Sequence, residues 1–457
     1  MDDAKITPMR ASGLPRPFFS LAATEFSLRF SLAGVKSILT LVLIDHVLAD
    51  GLPGSVGADG LQRMLESLFG PLSAAGLASQ IYGITTALLY LSVPVGGFLG
   101  DRLTRRSGSI YLGGLCILAG LALMTGRLLF LPGLALFAVG TGIVKGNLSV
   151  VVGALFADGA ARRRGYAIYL GFLNGGIAIG PLVCGALLLA GGWGYACGAA
   201  ATAVGLGLLS WHLAGRHLAR LEAAPARDPR PAGDDTARGD WPLLLTALLA
   251  IYLCFAAYEQ VGNLFLVWAR ARVTLEVAGW PLPVSWLLAL DGVFTILLIP
   301  VVQFGLRRLA RFRFATGPIW EIALGCVACA CGNGVLAVAE ATSGGAPLPL
   351  AAALGYLICI DLAIVLVWPA GLSLVTGSAP ARAVGFWVGM FYLHGFFASL
   401  WVGPIGAWYG RIPAAQFWLL HAAVALAGAV LLLPLGLARA RRRSQATTTS
   451  ACANACA

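Results

Sequence analysis

Glu25-Phe-Ser-Leu28-Arg29-Phe-Ser-Leu32-Ala-Gly34-Val-Lys36 lies inside an apolar run from about Phe18 to Leu43. A run of that length and composition reads as a membrane-spanning helix. At about 100° per residue, Glu25, Arg29 and Lys36 fall within roughly 40° of one another on one face. Glu25 and Arg29 are spaced i, i+4 and can pair on the helix itself. Each ionisable group in a spanning helix costs a few kcal/mol on insertion scales, so a set of three implies a wet cavity or partners. Snorkelling from a helix end covers Glu25 at best.

The whole chain agrees with this stretch. Its 457 residues are 59% hydrophobic and only 11% charged, the composition of a polytopic helical membrane protein. The apolar runs are continuous over about 20 residues, which excludes the ten-residue alternation of an outer-membrane barrel. Its 59 glycines suit closely packed spanning helices. The net charge of +11 invites a nucleic-acid reading, but its distribution gives a better one. Of the 31 Lys and Arg, 23 fall in the N-tail, the even-to-odd loops, the central linker and the C-tail. Arg63, Arg127, Arg270, Arg272 and Arg411 fall on the other side, and Arg29, Lys36 and Lys145 inside helices. This positive-inside bias places both termini in the cytoplasm. The first apolar run carries charges and lacks a clear small-residue cleavage site, so no cleavable signal peptide is expected.

Twelve spans are predicted, near 18–43, 76–100, 109–126, 129–157, 166–190, 193–214, 241–268, 283–306, 316–339, 348–377, 384–408 and 412–437. They divide into a six-helix bundle over 18–214 and a second over 241–437, flanked by an N-tail (1–17) and a C-tail (438–457). The polar, Pro- and Arg-rich segment 215–240 between them reads as a flexible cytoplasmic linker. The basic, then Thr- and Ala-rich C-tail is expected to be disordered. The halves repeat weakly: Pro94, Phe98, Arg102 and Arg105 recur at one spacing as Pro300, Phe304, Arg308 and Arg311. Parallel six-helix repeats with a site between them near the midplane describe a secondary transporter fold.

Only three lysines occur, Lys5, Lys36 and Lys145, and two of them lie within spans. An ammonium is compact and titratable where a guanidinium is not, so these two are candidate functional groups. Lys145 sits midway along the fourth span and needs an acid, for which Glu25 is at a compatible depth. Glu259, within Tyr258-Glu259-Gln260, lies deep in the seventh span and should face Lys36 across the halves, closing the outer side of the cavity. Asn174 is expected to face the cavity, and Asp291 and Asp361 add acids on the eighth and tenth spans. Gly97-Phe-Leu-Gly100-Asp101-Arg102 after the second span reads as close-packed glycines and a gate-side latch between helices. His394 reads as a packing histidine. Cys326, Cys329 and Cys331 cluster without metal-ligand spacing, so no metal site is expected.

These motifs resemble the proton-dependent oligopeptide transporters of the major facilitator superfamily. The family's first-helix signature E-x-x-E-R-F-x-Y-Y-G is here Glu25-x-x-Leu28-Arg29-Phe30-x-Leu32-Ala33-Gly34, followed by Lys36. Lys145-Gly146-Asn147 stands for the helix-four Lys-Pro-Asn, and Tyr169 with Asn174 for the helix-five pattern, one residue longer. Glu259-Gln260 and Pro369-Ala-Gly371-Leu372-Ser373 match the helix-seven and helix-ten motifs. The second signature acid is Leu28, both tyrosines are lost, the helix-ten glutamate is Ile364 and the helix-eight Asn-Pro is Asp291-Gly292. The charge relay is thus kept and the pocket rebuilt.

The resemblance implies an all-α protein of twelve transmembrane helices in the major facilitator fold. It implies a proton-coupled symporter of di- or tripeptides or peptide-like solutes, working by alternating access in a bacterial inner membrane. Glu25, Arg29, Lys36, Lys145 and Glu259 would couple protons. Arg29, Lys36, Lys145, Asn174, Asp291 and Asp361 would line the substrate. The expected partners are the substrate, protons and the bilayer, with no nucleic acid, no cofactor beyond the proton gradient and a monomeric chain. A proton-antiporting exporter of a peptide-like antibiotic or metabolite is the alternative in direction, and a non-transporting sensor the alternative in class. An enzyme would need a nucleophile with a base or paired metal ligands, and neither is found.

Overall fold

The computed structural model describes residues 16–49, 54–102, 105–154, 159–222, 240–311, 317–380 and 384–455. Twelve helical spans in it are long and apolar enough to cross a membrane. The first half comprises α1 (Arg16–Val42), α2 (Ala58–Phe69), α3 (Ala74–Arg102), α4 (Arg105–Met124), α5 (Phe130–Ala154), α6 (Gly159–Gly191) and α7 (Trp193–Glu222). The second comprises α8 (Trp241–Tyr258), α9 (Leu264–Arg272), a two-stranded hairpin of β1 (Glu276–Val277) and β2 (Trp280–Pro281), α10 (Trp286–Arg311), α11 (Pro318–Thr342), α12 (Leu350–Ser378), α13 (Val384–Tyr392), α14 (His394–Gly406) and α15 (Ala414–Ala455). Each half buries its own apolar cluster, one drawn from Phe18 to Ala214 with Val402 added, the other from Leu243 to Leu432. Most of the central linker lies outside the described residues; Asp240, at its end, caps α8 by accepting the Leu243 N–H at 3.3 Å.

Five local features depart from the sequence reading. Helix α2 is an additional, strongly one-sided helix in the loop after α1, too short to span. The first span ends in a π-helical turn, Leu43–Val47. The seventh span breaks at a 3₁₀ turn, Glu259–Gly262, before α9, and the eleventh breaks at Leu393 between α13 and α14. The C-tail, expected to be disordered, continues α15 as helix to Ala455. Arg and Ala favour helix, and no Gly or Pro interrupts 439–455.

Helix packing within the halves relies on missing side chains, as expected where lipid removes the hydrophobic drive between helices. A Cβ on Gly180 of α6 would overlap the Phe30 carbonyl oxygen of α1. Between α3 and α5 the same holds for Gly96 and Gly146. The halves meet at one end. For orientation, the end carrying Arg16, Asp101, Asp240 and Ser378 is the linker end, and the opposite one is the distal end. Among the described residues, every hydrogen bond or ion pair between halves lies on the distal side of the helix midpoints. Ser79 donates to the Val402 carbonyl at 3.1 Å, and Trp286 to the Leu182 carbonyl at 3.1 Å. Arg270 pairs with Asp45, and Arg411 donates to the carbonyls of Phe69 and Pro71. A Cβ on Gly83 would come within 2.9 Å of Gly403, so two helices of opposite halves touch backbone to backbone there.

Candidate functional site

The charged stretch of α1 faces inward near mid-depth. Arg29 Nε lies 2.6 Å from Glu25 Oε1, one turn along the same helix. The other carboxylate oxygen of Glu25 accepts the Tyr169 hydroxyl of α6 at 2.7 Å. Glu25 is buried, so both its oxygens are satisfied by neighbours instead of water. Gly176 and Gly180 let α6 lie against α1, and this approach brings the phenol of Tyr169 to the carboxylate.

About two turns beyond Arg29, Lys36 crosses to the other half. Its ammonium is 3.3 Å from Glu259 Oε2 and 5.3 Å from the centre of the Tyr82 ring. The break in the seventh span puts Glu259 and Gln260 in its 3₁₀ turn and Asn263 just after it, where protein supplies the missing hydrogen-bond partners. Asn263 donates to Ser79 at 2.6 Å and accepts from Thr40 at 3.1 Å. Gln260 reaches His421 at 3.2 Å. A polar girdle therefore ties α1, α3, the broken span and α15 together beneath the Lys36–Glu259 pair.

Lys145 is placed differently from expectation. It forms no ion pair among the described residues, and Glu25 is held by Arg29 and Tyr169 in its place. The Lys145 ammonium instead stands 4.7 Å from the centre of the Tyr90 ring. The reason is reach: Arg29 is already one turn from Glu25 on α1, and the tyrosine fills the acid's second oxygen. His394 packs as expected, its Nδ1 against the Phe391 carbonyl at 2.8 Å and its ring 3.9 Å from that of Phe255.

The acids of the second half form a separate group. Tyr258 donates to Asp291 Oδ1 at 3.2 Å, and Thr295 to Asp361 Oδ1 at 3.1 Å. Asp361 is fully buried, whereas Asp291 keeps partial exposure. Asn174 is buried where α6 meets α10, its amide donating to the Leu170 carbonyl of its own helix at 2.9 Å and its backbone oxygen beside Gly292. It does not face an open cavity here.

At the linker end Asp101 pairs with Arg106. The close-packed glycines are Gly96 and Gly100, one turn apart on α3, instead of Gly97 and Gly100. The side chain of Asn147 fills the place a Gly100 Cβ would take, and donates to the Gly96 carbonyl at 2.7 Å. A Cβ on Gly97 would make only ordinary contact with the Gly146 oxygen, although the Gly97 backbone nitrogen lies 3.1 Å from where a Gly146 Cβ would stand. The side chain of Arg102 lies outside the described residues.

Among the described residues no group of His, Cys, Asp or Glu could hold a metal ion. Cys326 and Cys329 turn their thiols to backbone carbonyls of α8. The residues missed by sequence reasoning are the tyrosines. Tyr82, Tyr90, Tyr169 and Tyr258 each touch one of the charged groups. Tyr258 lies next to Glu259 in the seventh span, but Tyr82, Tyr90 and Tyr169 lie in spans without a charge, and nothing in the sequence tells which charge each one meets.

The family model of the Major Facilitator Superfamily matches residues 26–403. The peptide transporter YePEPT of Yersinia enterocolitica is 26% identical, over 96% of this chain and 97% of that protein. A di-/tripeptide transporter of Lactococcus lactis subsp. lactis is 33% identical over 54% of this chain and 47% of its own. A crystal structure of a POT peptide transporter in complex with sulfate shares the fold, with a TM-score of 0.78 over 95% of this chain and 96% of that one, at 24% identity.

Proposed function

We propose that this chain, which belongs to the Major Facilitator Superfamily, is a proton-dependent oligopeptide transporter and carries di- and tripeptides or peptide-like solutes into the cell with protons. The single observation that carries the reading is the Lys36–Glu259 ion pair bridging the two halves at 3.3 Å. A carboxylate that takes up a proton loses its hold on a cation, so a proton arriving at Glu259 loosens the contact between the halves. That links protonation to the rearrangement that alternating access requires.

The positive-inside bias puts the linker end and both termini in the cytoplasm of a bacterial inner membrane. With the halves joined at the distal end, this conformation is the inward-facing one. Arg29, Lys36 and Lys145 form the cationic side of the site and take the substrate's carboxylate. Lys145, free of any acid among the described residues, is the cation most available for it. Asp291, partly exposed, takes a substrate ammonium in preference to the fully buried Asp361. The chain acts as a monomer on the proton gradient alone, and no catalytic step or cofactor is invoked.

The test is uptake of a dipeptide into proteoliposomes under an imposed inward proton gradient. Accumulation that collapses with a protonophore supports the reading. Uptake indifferent to the gradient, or seen only for solutes lacking both an amine and a carboxylate, overturns it.

A further inference from the structure

Two acids in the second half, Asp291 and Asp361, have no part in the Glu25 or Lys36 pairs. Asp361 of α12 is fully buried and is held by Thr295 of α10, one turn from Asp291 on that helix, which brings the two carboxyls into interaction. Thr295 donates to one oxygen of Asp361 and Tyr258 to one oxygen of Asp291. Asp361 Oδ2 receives no donor at all. A second orphan lies close by: the Tyr356 hydroxyl is fully buried without a partner and within electrostatic reach of both carboxyls. The remaining charges that act on Asp291 are Lys36 and Glu259, neither in contact with it. Among the described residues no Lys, Arg or His forms an ion pair with either acid.

Two ionised carboxylates cannot share such a place cheaply, because like charges repel and burial removes the water that would screen them. The one donor that this chain supplies by no side chain is a proton on one of the two acids. We propose that Asp291 and Asp361 share a single proton and form a second proton-carrying site, separate from Glu25 and Glu259. Asp361, sealed from solvent, keeps the proton. Asp291, partly exposed, is where it leaves. On release the carboxyl O–H bond breaks, its electron pair stays on the oxygen, and the proton passes to water in the cavity. The dyad then carries two negative charges and holds a cation in place of the proton, such as the ammonium of a substrate. Only that last step rests on the transport reading above.

The test has two arms. Infrared difference spectra of the substrate-free protein, taken across pH steps and on exchange into D₂O, read protonated carboxyl groups directly. A carboxylic-acid C=O band is expected at neutral pH in the wild type and lost in both Asp291→Asn and Asp361→Asn. Thr295→Val keeps both acids and removes the donor to Asp361, so the band should persist and move in frequency. This variant reads the site even if an Asn variant does not fold. The second arm is the proton-to-substrate ratio, taken from reversal potentials in proteoliposomes, which should fall by about one in Asp361→Asn. No band at neutral pH, or a band unmoved in Thr295→Val, overturns the shared proton. A band lost on substitution with the ratio unchanged overturns the carrying role and leaves a structural proton. The infrared arm needs no substrate, so its outcome stands whatever the uptake assay returns.

Discussion

Lys36 is one of three lysines in the chain, and its ammonium is the charge that joins the two halves at mid-depth. Removing one partner of a buried pair leaves the other uncompensated, at about 3–5 kcal/mol when burial is complete. Lys36 keeps 24% of its side-chain exposure, so solvent screening lowers the expected cost to about 2 kcal/mol. Lys36→Met and Glu259→Gln should each lower thermal stability by that amount, and the double variant should recover part of the loss. A double-mutant cycle of melting in detergent checks this, and strictly additive losses would mean the pair contributes no coupling. Glu25 answers to a different test. Glu25→Gln should abolish accumulation against a gradient and leave exchange of substrate partly intact, because binding groups remain while the titrating group is gone. Tyr169→Phe removes a hydrogen bond to a buried carboxylate, of a kind that contributes about 1.5–3 kcal/mol. Its melting temperature should fall although no charge has changed.

The elements that hold these residues are set by close backbone approach. Gly180 of α6 lies against the Phe30 carbonyl of α1, within the same contact that brings Tyr169 to Glu25. Gly180→Val should therefore cost about 1–3 kcal/mol by overpacking and also impair transport by moving α6 off α1. Gly171 is the control, on the same helix with open space where its Cβ would be. Gly171→Ala should be neutral or stabilise by up to about 1 kcal/mol, since it removes backbone freedom without a clash. Equal losses for both variants would mean that α6 helicity, and not its contact with α1, controls stability. The break at Glu259–Gly262 works in the same way. It exists because Ser79 and Thr40, on two other helices, and His421, on a third, satisfy the side chains of its Gln260 and Asn263.

At the scale of the whole molecule, the halves close at the distal end through a few specific contacts. The Asp45–Arg270 pair is more than a third exposed on both sides, so it contributes at most about 1 kcal/mol. The Gly83–Gly403 contact is different in kind, because it is backbone on backbone. Gly83→Leu should wedge the distal ends apart and shift the population toward the opposite-facing state. Spin labels on Met64 and Thr342, both exposed at that end on opposite halves, should then move to longer distances. Asp45→Asn should move the same distribution much less, by no more than about fivefold in population. An unchanged distance in Gly83→Leu, in folded protein, would show that the distal closure does not depend on that contact.

Hydropathy and charge by themselves determined the twelve spans, their division into halves, and the depth of Glu25, Lys36, Lys145 and Glu259. These follow from one-dimensional facts: a span needs a length of apolar chain, and a charge inside it is too costly to be incidental. The facing of Lys36 and Glu259 was also legible, because both charges sit at matching depth in spans that run the same way. What the tertiary structure alone decided is which partner each charge takes when several are within reach. Lys145 was expected on Glu25, but Arg29 one turn away and Tyr169 across the helix contact took both oxygens. Gly96 presses more closely on α5 than Gly97 does, because the rotation of α3 is set by its neighbours and not by the spacing of its glycines. The carboxyls of Asp291 and Asp361, on different helices, meet only because α10 and α12 pack side by side. A sequence orders residues by depth along each span; the rotation of each helix about its own axis is a property of the packed bundle, and that rotation chooses the partners.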